Sequence, residues 1–296
     1  MGIKMQMFNF YKHIFNVFKW FFLSHTLGWK GTSQEKYDSE VIVSLTSFPG
    51  RINDVVFSIR SLLMQTMKPN RVILWLASSQ FKYGEVELPK KLIALKKYGL
   101  EIEWCDDIKS YKKLIPTLNK YPEAIVVTAD DDILYEKDWL LVLYQCYEKK
   151  HDVIWAHRVT KFNIKDGDFY TSVGGLNRWE NYSFLNKFTG CAGVLYPPHI
   201  LDKDVFNIDL LQSICKTNDD IWFWLMAVKN NTRIGVPENP HLRLVYVGKT
   251  QERDTLTSIN DHGEKLFWKD FNGVLNHYPV IRQRLLQEIE ERNISI

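Results

Sequence analysis

The chain has only four cysteines in 296 residues, Cys105, Cys146, Cys191 and Cys215, with no Cys-x-x-Cys spacing among them. That excludes a disulfide-stapled scaffold and a cysteine-built zinc site, and it fits a reducing cytosol. Long hydrophobic runs are missing too. Lys12 and Lys19 interrupt the apolar N-terminal stretch well short of the roughly 20 residues a membrane-spanning helix needs. There is no excess of positive charge over the body of the chain. The net charge is +3, but Lys4, Lys12, Lys19 and Lys30 place +4 in residues 1–30, which hold no acid, and leave the remainder at −1. A near-neutral body lacks the basic stripe that displaces counterions from phosphates, so nucleic acid is not expected as a partner. Neither an internal repeat nor a low-complexity tract is present, and the loop after the first apolar run, SLTSFPGRI, holds a single glycine, Gly50.

What is abundant is apolar and aromatic: 45% hydrophobic residues, with 10 Trp, 14 Tyr and 17 Phe. This is enough for one sizeable core, with aromatic surface to spare for stacking on planar bases or sugar rings. In residues 1–30, Phe8, Tyr11, Phe15, Phe18 and Phe22 recur at helical spacing opposite the lysines. The pattern predicts an amphipathic helix lying in the interface of an anionic membrane, hence peripheral attachment to the inner face of the cell membrane from the cytoplasm. A helix docked on the protein's own core is the other reading of the same pattern.

From residue 31 the pattern alternates strand and helix. Strands are expected at Val41–Ser47, Arg71–Ala77, Leu100–Cys105, Ala124–Ala129 and Asp152–His157, and helices at Asn53–Thr66, Pro89–Tyr98, Ser110–Lys120, Trp139–Lys150 and Asp219–Asn230. Such a succession predicts an α/β fold with a mostly parallel, Rossmann-like central sheet flanked by helices and with ligands at the carboxyl ends of the strands. Residues 158–198 lose the alternation and predict hairpins and loops lining a site. Residues 31–258 are expected to form the main domain and 259–296 a helical tail.

The strongest chemical signal is VVTADDDILY, in which a buried strand delivers Asp130, Asp131 and Asp132 to the sheet edge. Three adjacent anions repel one another, and a divalent ion of the Mg²⁺ or Mn²⁺ kind, which takes carboxylate oxygens plus substrate phosphates, offsets that repulsion. A solvated acidic turn is the plainer alternative. Lys113 and Arg51 lie near enough in the pattern to neutralise phosphate charge. KFTGCAGVLYPP places Gly190 and Gly193 before an apolar run, where the missing Cβ permits close backbone approach to a ligand or serves a bulge. TNDDIWFW sets Asp219 and Asp220 in the first turn of a buried helix, where one carboxylate can cap and the other can take a proton.

Together these segments resemble nucleotide-diphospho-sugar glycosyltransferases of the GT-A type, and are similar to bacterial family 2-like enzymes of surface-polysaccharide assembly. The resemblance runs from Val41 to Asn230. It implies a GT-A fold and transfer of a sugar, with inversion, from a nucleotide-sugar donor, with uridine as the favoured base, to a glycan or lipid-linked saccharide acceptor. It implies that Thr46, Arg51, Asp107, Lys113, Asp130, Asp131, Gly190 and Gly193 meet the donor. Asp130 and Asp132 would hold Mn²⁺ or Mg²⁺, with His262 or His241, both beyond the acidic motif, as the histidines open to complete the metal shell, and Asp220, with Asp219 beside it, would supply the base. The family's usual Glu-Asp pair is Asp-Asp in this chain, which leaves both carboxylates as candidates. A nucleotidyltransferase and a non-catalytic carbohydrate-binding scaffold are the competing readings. The first ordinarily has a glycine-rich phosphate loop where this chain has only Gly50.

Overall fold

The computed structural model describes residues 31–35, 37–165, 167–171, 182–248 and 264–294. The amphipathic segment 1–30 and His262 lie outside them. Eleven strands are found among the described residues: β1 (Val41–Thr46), β2 (Arg71–Ala77), β3 (Leu100–Cys105), β4 (Ile125–Thr128), β5 (Val153–Ala156), β6 (Val159–Lys165), β7 (Asp168–Thr171), β8 (Tyr182–Ser183), β9 (Asn186–Phe188), β10 (Val194–Tyr196) and β11 (Arg233–Gly235). The helices are α1 (Val55–Leu62), α2 (Lys90–Ile93), α3 (Ile115–Lys120), α4 (Trp139–Lys149), α5 (Ile208–Ile214), α6 (Asp219–Lys229), α7 (Glu264–His277) and α8 (Pro279–Ile294).

Eight strands form one sheet in the order β3-β2-β1-β4-β10-β5-β11-β8. The half from β3 to β4 is parallel throughout, as is the β5–β11 pair. The expected mostly parallel sheet is therefore present, with two strands reversed: β10 in the middle, antiparallel to both β4 and β5, and β8 at the margin, antiparallel to β11. β7, β6 and β9 form a separate antiparallel sheet from the hairpin region.

Strand residues alternate between two cores because side chains point to opposite faces with period two. Ile42, Ile73, Val126, Ile154 and Val194 face one layer, in which α5, α6, α7 and α8 pack. Val43, Leu74, Val127, Val153 and Leu195 face the other, closed by α1 and α4. Both faces are covered, so the strands read as continuous apolar runs. α6 is apolar nearly all round because it lies between the sheet and the two C-terminal helices; Ile221 through Val228 are all buried. Phe271, Val274, Leu275, Ile281 and Leu285 of those helices join the same core. No helix among the described residues is long and apolar enough to cross a membrane.

The helix expected at Asn53–Thr66 is trimmed at both ends to α1, and two others are shorter than the pattern suggested for a local reason. Ser110–Lys120 splits into a 3₁₀ turn, Lys109–Lys113, and α3, with Pro116 in its first turn. A proline has no N–H for residue 112 and its ring crowds that carbonyl, so the helix restarts rather than continues. Pro89–Tyr98 is one turn of α-helix followed by 3₁₀, and it ends at Gly99 with φ +100°. A Cβ at Gly99 would meet Thr32 Oγ1 at 2.2 Å, so only glycine passes the chain into β3 there.

Candidate active site

The site lies where β1, β3 and β4 end and β10 begins, on one edge of the sheet. A cleft of about 540 Å³ opens there, lined among others by Thr46, Ser47, Arg51, Asp107, Lys113, Asp130–Asp132, Asp219 and Asp220. That volume suits a small-molecule ligand. Nine of the residues named in advance thus share one cavity, although β1 and α6 are more than 170 positions apart in the chain.

The three aspartates do not act alike. Asp131 is turned inward: Ser47 Oγ donates to its Oδ2 at 2.6 Å, and Arg51 Nη1 lies 2.9 Å from its Oδ1. Burial pushes the Asp131 carboxyl above its usual range, against the opposing pull of Arg51 and Ser47. The same Arg51 nitrogen reaches Asp132 Oδ2 at 3.0 Å. Asp130 turns the other way, to Lys113 Nζ at 3.0 Å. Its backbone N–H donates to the Tyr135 hydroxyl at 2.7 Å, and that hydroxyl donates to the Cys191 carbonyl at 3.0 Å. Tyr135, buried, therefore ties the acidic turn to the glycine segment.

Lys113 is the hub of the second half. Its ammonium is 2.9 Å from Asp219 Oδ2 as well as 3.0 Å from Asp130, with its side chain only 7% exposed. Burial alone would favour loss of its proton, but the charges of Asp130, Asp219 and Asp220 hold it on, well above the ordinary lysine value. The expected helix cap is not made by Asp219. Asn218 holds the N-cap position, yet its amide donates to Asp270 of α7 instead of capping. Asp219 is committed to an ion pair, because a buried ammonium between two acids offers it more than a backbone N–H does.

Asp220 accepts from the Gly190 N–H at 3.0 Å. A Cβ at Gly190 would fall 2.5 Å from Asp220 Oδ1 and 3.1 Å from Lys113 Nζ, so the close approach needs glycine. Burial first, and then Asp219, push the Asp220 carboxyl above its usual range, while Lys187 and Lys113 pull it back. Gly193 stands differently. It has φ +104°, and a Cβ there would fall 2.4 Å from the Trp139 ring, whose indole N–H donates to the Ala192 carbonyl at 2.7 Å. Its job is packing against α4 rather than contact with the cleft.

At the far end, Asp107 lies within 2.8 Å of Lys112 Nζ, accepts from the Lys109 N–H at 3.0 Å and receives the Gln80 amide at 3.0 Å. Burial works against ionisation, but these partners outweigh it and hold the carboxyl at about 2. Ser47, Tyr135, Lys112, Lys187 and Phe267 were not singled out from the sequence. Ser47, Tyr135 and Lys187 did stand inside the quoted motifs, immediately after β1, at the end of DDDILY and at the start of KFTGCAGVLYPP.

The acidic turn offers oxygen donors only, the chemistry of Mg²⁺ and Mn²⁺ sites, and Asp130 and Asp132 both border the cleft, so these residues fit such an ion. Glu136, Asp138 and His241, none of which lines the cleft, form a further group of potential ligands whose atoms lie within 4.8 Å of one another. The two acids are exposed, and His241 Nε2 is 3.3 Å from Asp138.

No protein-family model matches the chain, and no curated protein matches it. Among solved structures it is similar to the mannosyltransferase PcManGT from Pyrobaculum calidifontis in complex with GDP-Man and Mn²⁺. The TM-score is 0.52 at 12% identity, over 96% of this chain and 79% of that one. S. aureus TarS 1-349 in complex with UDP gives 0.47 at 14% identity, over 87% and 72%. What the first likeness shows is the fold: a GT-A-like mixed α/β architecture similar to that of the mannosyltransferase, at low identity and over nearly the whole chain.

Proposed function

We propose that this protein is a metal-dependent glycosyltransferase that moves a sugar from a nucleotide-diphospho-sugar, with uridine as the favoured base, to a glycan or lipid-linked acceptor, inverting the anomeric configuration. The observation that carries the reading is the placement of Asp220. It is a carboxylate held by the Gly190 N–H, with its proton affinity raised, in the same cleft as a cation-braced acidic turn at the carboxyl edge of a parallel sheet.

Asp220 takes the proton of the acceptor hydroxyl. Burial raises its basicity toward neutral pH, which improves a general base. Lys113 fixes Asp130 and Asp219 on either side, and its permanent charge attracts the donor's diphosphate. Asp107, an ionised acceptor with its own partners in place, presents its carboxylate at the nucleoside end with Thr46 nearby. Asp130 and Asp132 would hold Mn²⁺ or Mg²⁺, which when bound supplies charge stabilisation to the departing nucleoside diphosphate. Phe267 gives the cleft an aromatic wall at the Asp220 end, suited to the apolar face of a sugar ring. The basic, aromatic residues 1–30 attach the enzyme to the inner face of an anionic membrane, where lipid-linked acceptors reside.

The deciding experiment is turnover and hydrolysis of a nucleotide-sugar panel with Mn²⁺ and with EDTA, on wild type and Asp132→Ala. Release of nucleoside diphosphate that needs the ion and is lost in the variant supports the reading. Release of pyrophosphate from a nucleoside triphosphate instead would make the protein a nucleotidyltransferase, and activity undiminished in EDTA would remove the metal. An NMR assignment of the product anomer tests inversion. Sedimentation with anionic vesicles, with and without residues 1–30, tests the membrane segment.

A further inference from the structure

A single nitrogen of Arg51 touches two adjacent carboxylates, Asp131 Oδ1 at 2.9 Å and Asp132 Oδ2 at 3.0 Å. The three side chains are nearly closed to solvent, at 14%, 8% and 5% exposure. Asp131 has a further tether in Ser47, at 2.6 Å, and is fixed to the end of β1 through it. The guanidinium has slack of its own: its Nε is buried and hydrogen-bonds nothing. Arg51 also springs from a tight turn, its N–H donating to the Phe48 carbonyl and its own carbonyl receiving the N–H groups of Asp54 and Val55. The backbone is therefore held while the side chain borders the cleft.

A guanidinium bridging Asp131 and Asp132 and a divalent cation held by Asp132 would compete for the charge of one carboxylate, because two positive centres drawn together there repel in a site shielded from water. From this geometry we infer that Arg51 is a coupling residue: it holds Asp132 against the ion and yields it when a diphosphate arrives to take the guanidinium instead. The inference rests on the glycosyltransferase reading and adds to it an order of events. The ion alone binds weakly, since it must displace an arginine that has nowhere better to go. With a nucleoside diphosphate in the cleft, the guanidinium gains phosphate oxygens, for which its planar fork is well shaped. The carboxylate is released to the metal, and each ligand raises the affinity for the other by the same factor. Arg51 is thus a positioning residue, acting on the metal through Asp132.

The test is Mn²⁺ binding followed by electron paramagnetic resonance on the full-length protein, without nucleotide and with saturating UDP or GDP, for wild type, Arg51→Gln and Arg51→Lys. Wild type is expected to bind Mn²⁺ at least about tenfold more tightly with the nucleoside diphosphate than without it, the coupling magnitude common for linked sites. Arg51→Gln should bind Mn²⁺ alone at least about tenfold more tightly than wild type, having lost the competing charge, and should lose most of the coupling. Arg51→Lys keeps the charge without the fork and should fall between them; it decides the matter if the glutamine variant does not fold. Mn²⁺ affinity without nucleotide that is unchanged or weaker in both variants overturns the inference, as does coupling that survives in Arg51→Gln. Failure of wild type to bind Mn²⁺ under any of these conditions overturns the glycosyltransferase reading along with it, and is distinguishable because the wild type alone reveals it.

Discussion

The backbone N–H of Gly190 donates to Asp220 Oδ2 at 3.0 Å, and the position a Gly190 Cβ would occupy lies 2.5 Å from the other oxygen of the same carboxylate. One glycine thus both holds the proposed base and leaves it room. Gly190→Ala is expected to force the carboxylate off its hydrogen bond and to lower kcat by about 10²-fold, within the range general-base catalysis contributes. Affinity for nucleoside diphosphate, measured by calorimetry, should stay near wild type, because Asp107 and Thr46 lie at the other end of the cleft. A Gly190→Ala enzyme with unchanged kcat removes Asp220 from the chemistry.

Asp219→Asn and Asp220→Asn are expected to separate by kind. Asp219→Asn takes one carboxylate from buried Lys113, and breaking a buried ion pair outright costs about 3–5 kcal/mol. With Asp130 still in place the loss should be smaller, and it should appear as a fall in Tm. Asp220→Asn should lower turnover by about 10²–10⁴-fold with no loss of Tm at neutral pH. The sign follows from linkage. An acid whose folded pKa is raised contributes stability below its ordinary value, 3.8 for Asp220, and loses it as pH rises through the folded pKa. At pH 7 the ionised form is a cost that asparagine removes, so thermal melts should show a variant advantage that shrinks toward acid. The acid limb of the wild-type kcat profile should likewise lie above the usual carboxylate range.

Those two acids also show how far the sequence could be read. The apolar runs of β1, β2 and β4 declared themselves because both sheet faces are covered, and Asp130–Asp132 followed from standing directly after one of them. Which cation each aspartate meets was not legible. Arg51 and Asp131 are 80 positions apart, and only the parallel pairing of β1 with β4 brings them together. The same holds for Asp219, whose local context suggested a cap and whose tertiary context supplies a lysine. Pro116 was visible, but the point where α3 restarts depended on the 3₁₀ turn before it.

Tyr135→Phe should test the tie between the acidic turn and the glycine segment. Without the hydroxyl, the Asp130 N–H and the Cys191 carbonyl lose a shared partner in a buried place, a cost of about 1–3 kcal/mol. The expected signature is a lowered Tm together with weaker Mn²⁺-dependent nucleotide binding in calorimetry, since Asp130 loses an anchor. A variant matching wild type in both would show that the tie is dispensable.

His157 sets a pH limit on stability. Burial, offset in part by the hydrogen bond with the Trp139 carbonyl, drives its imidazole from the ordinary 6.5 down to about 3. Its Nδ1 accepts the His241 N–H at 3.1 Å, which requires the neutral ring. A base with a lowered folded pKa stabilises fully above its unfolded value and loses that contribution as pH falls through the folded one. Urea unfolding between pH 7 and 3 should therefore show a declining free energy. His157→Gln, which keeps a donor and an acceptor but no titration, should flatten that decline while starting from a lower value at pH 7. An equal slope in both proteins would assign the acid sensitivity to other groups.

The reversed strand β10 has one more consequence. Val194 lies opposite both Ala156 of β5 and Thr128 of β4, so the stretch between Ala156 and Val194 starts and ends at one rung, on the cleft edge. On the way it touches the same sheet again at β8, on the margin beside β11. It contributes Lys187, Thr189 and Cys191 to one wall of the cleft. The opposite wall, from Thr46 to Asp132, belongs to the parallel half and is joined to that stretch through the Tyr135 hydroxyl and the Cys191 carbonyl. A substitution at Lys187 or Thr189 therefore changes the chemistry of one wall without touching the pairing of β1 with β4 that sets the other.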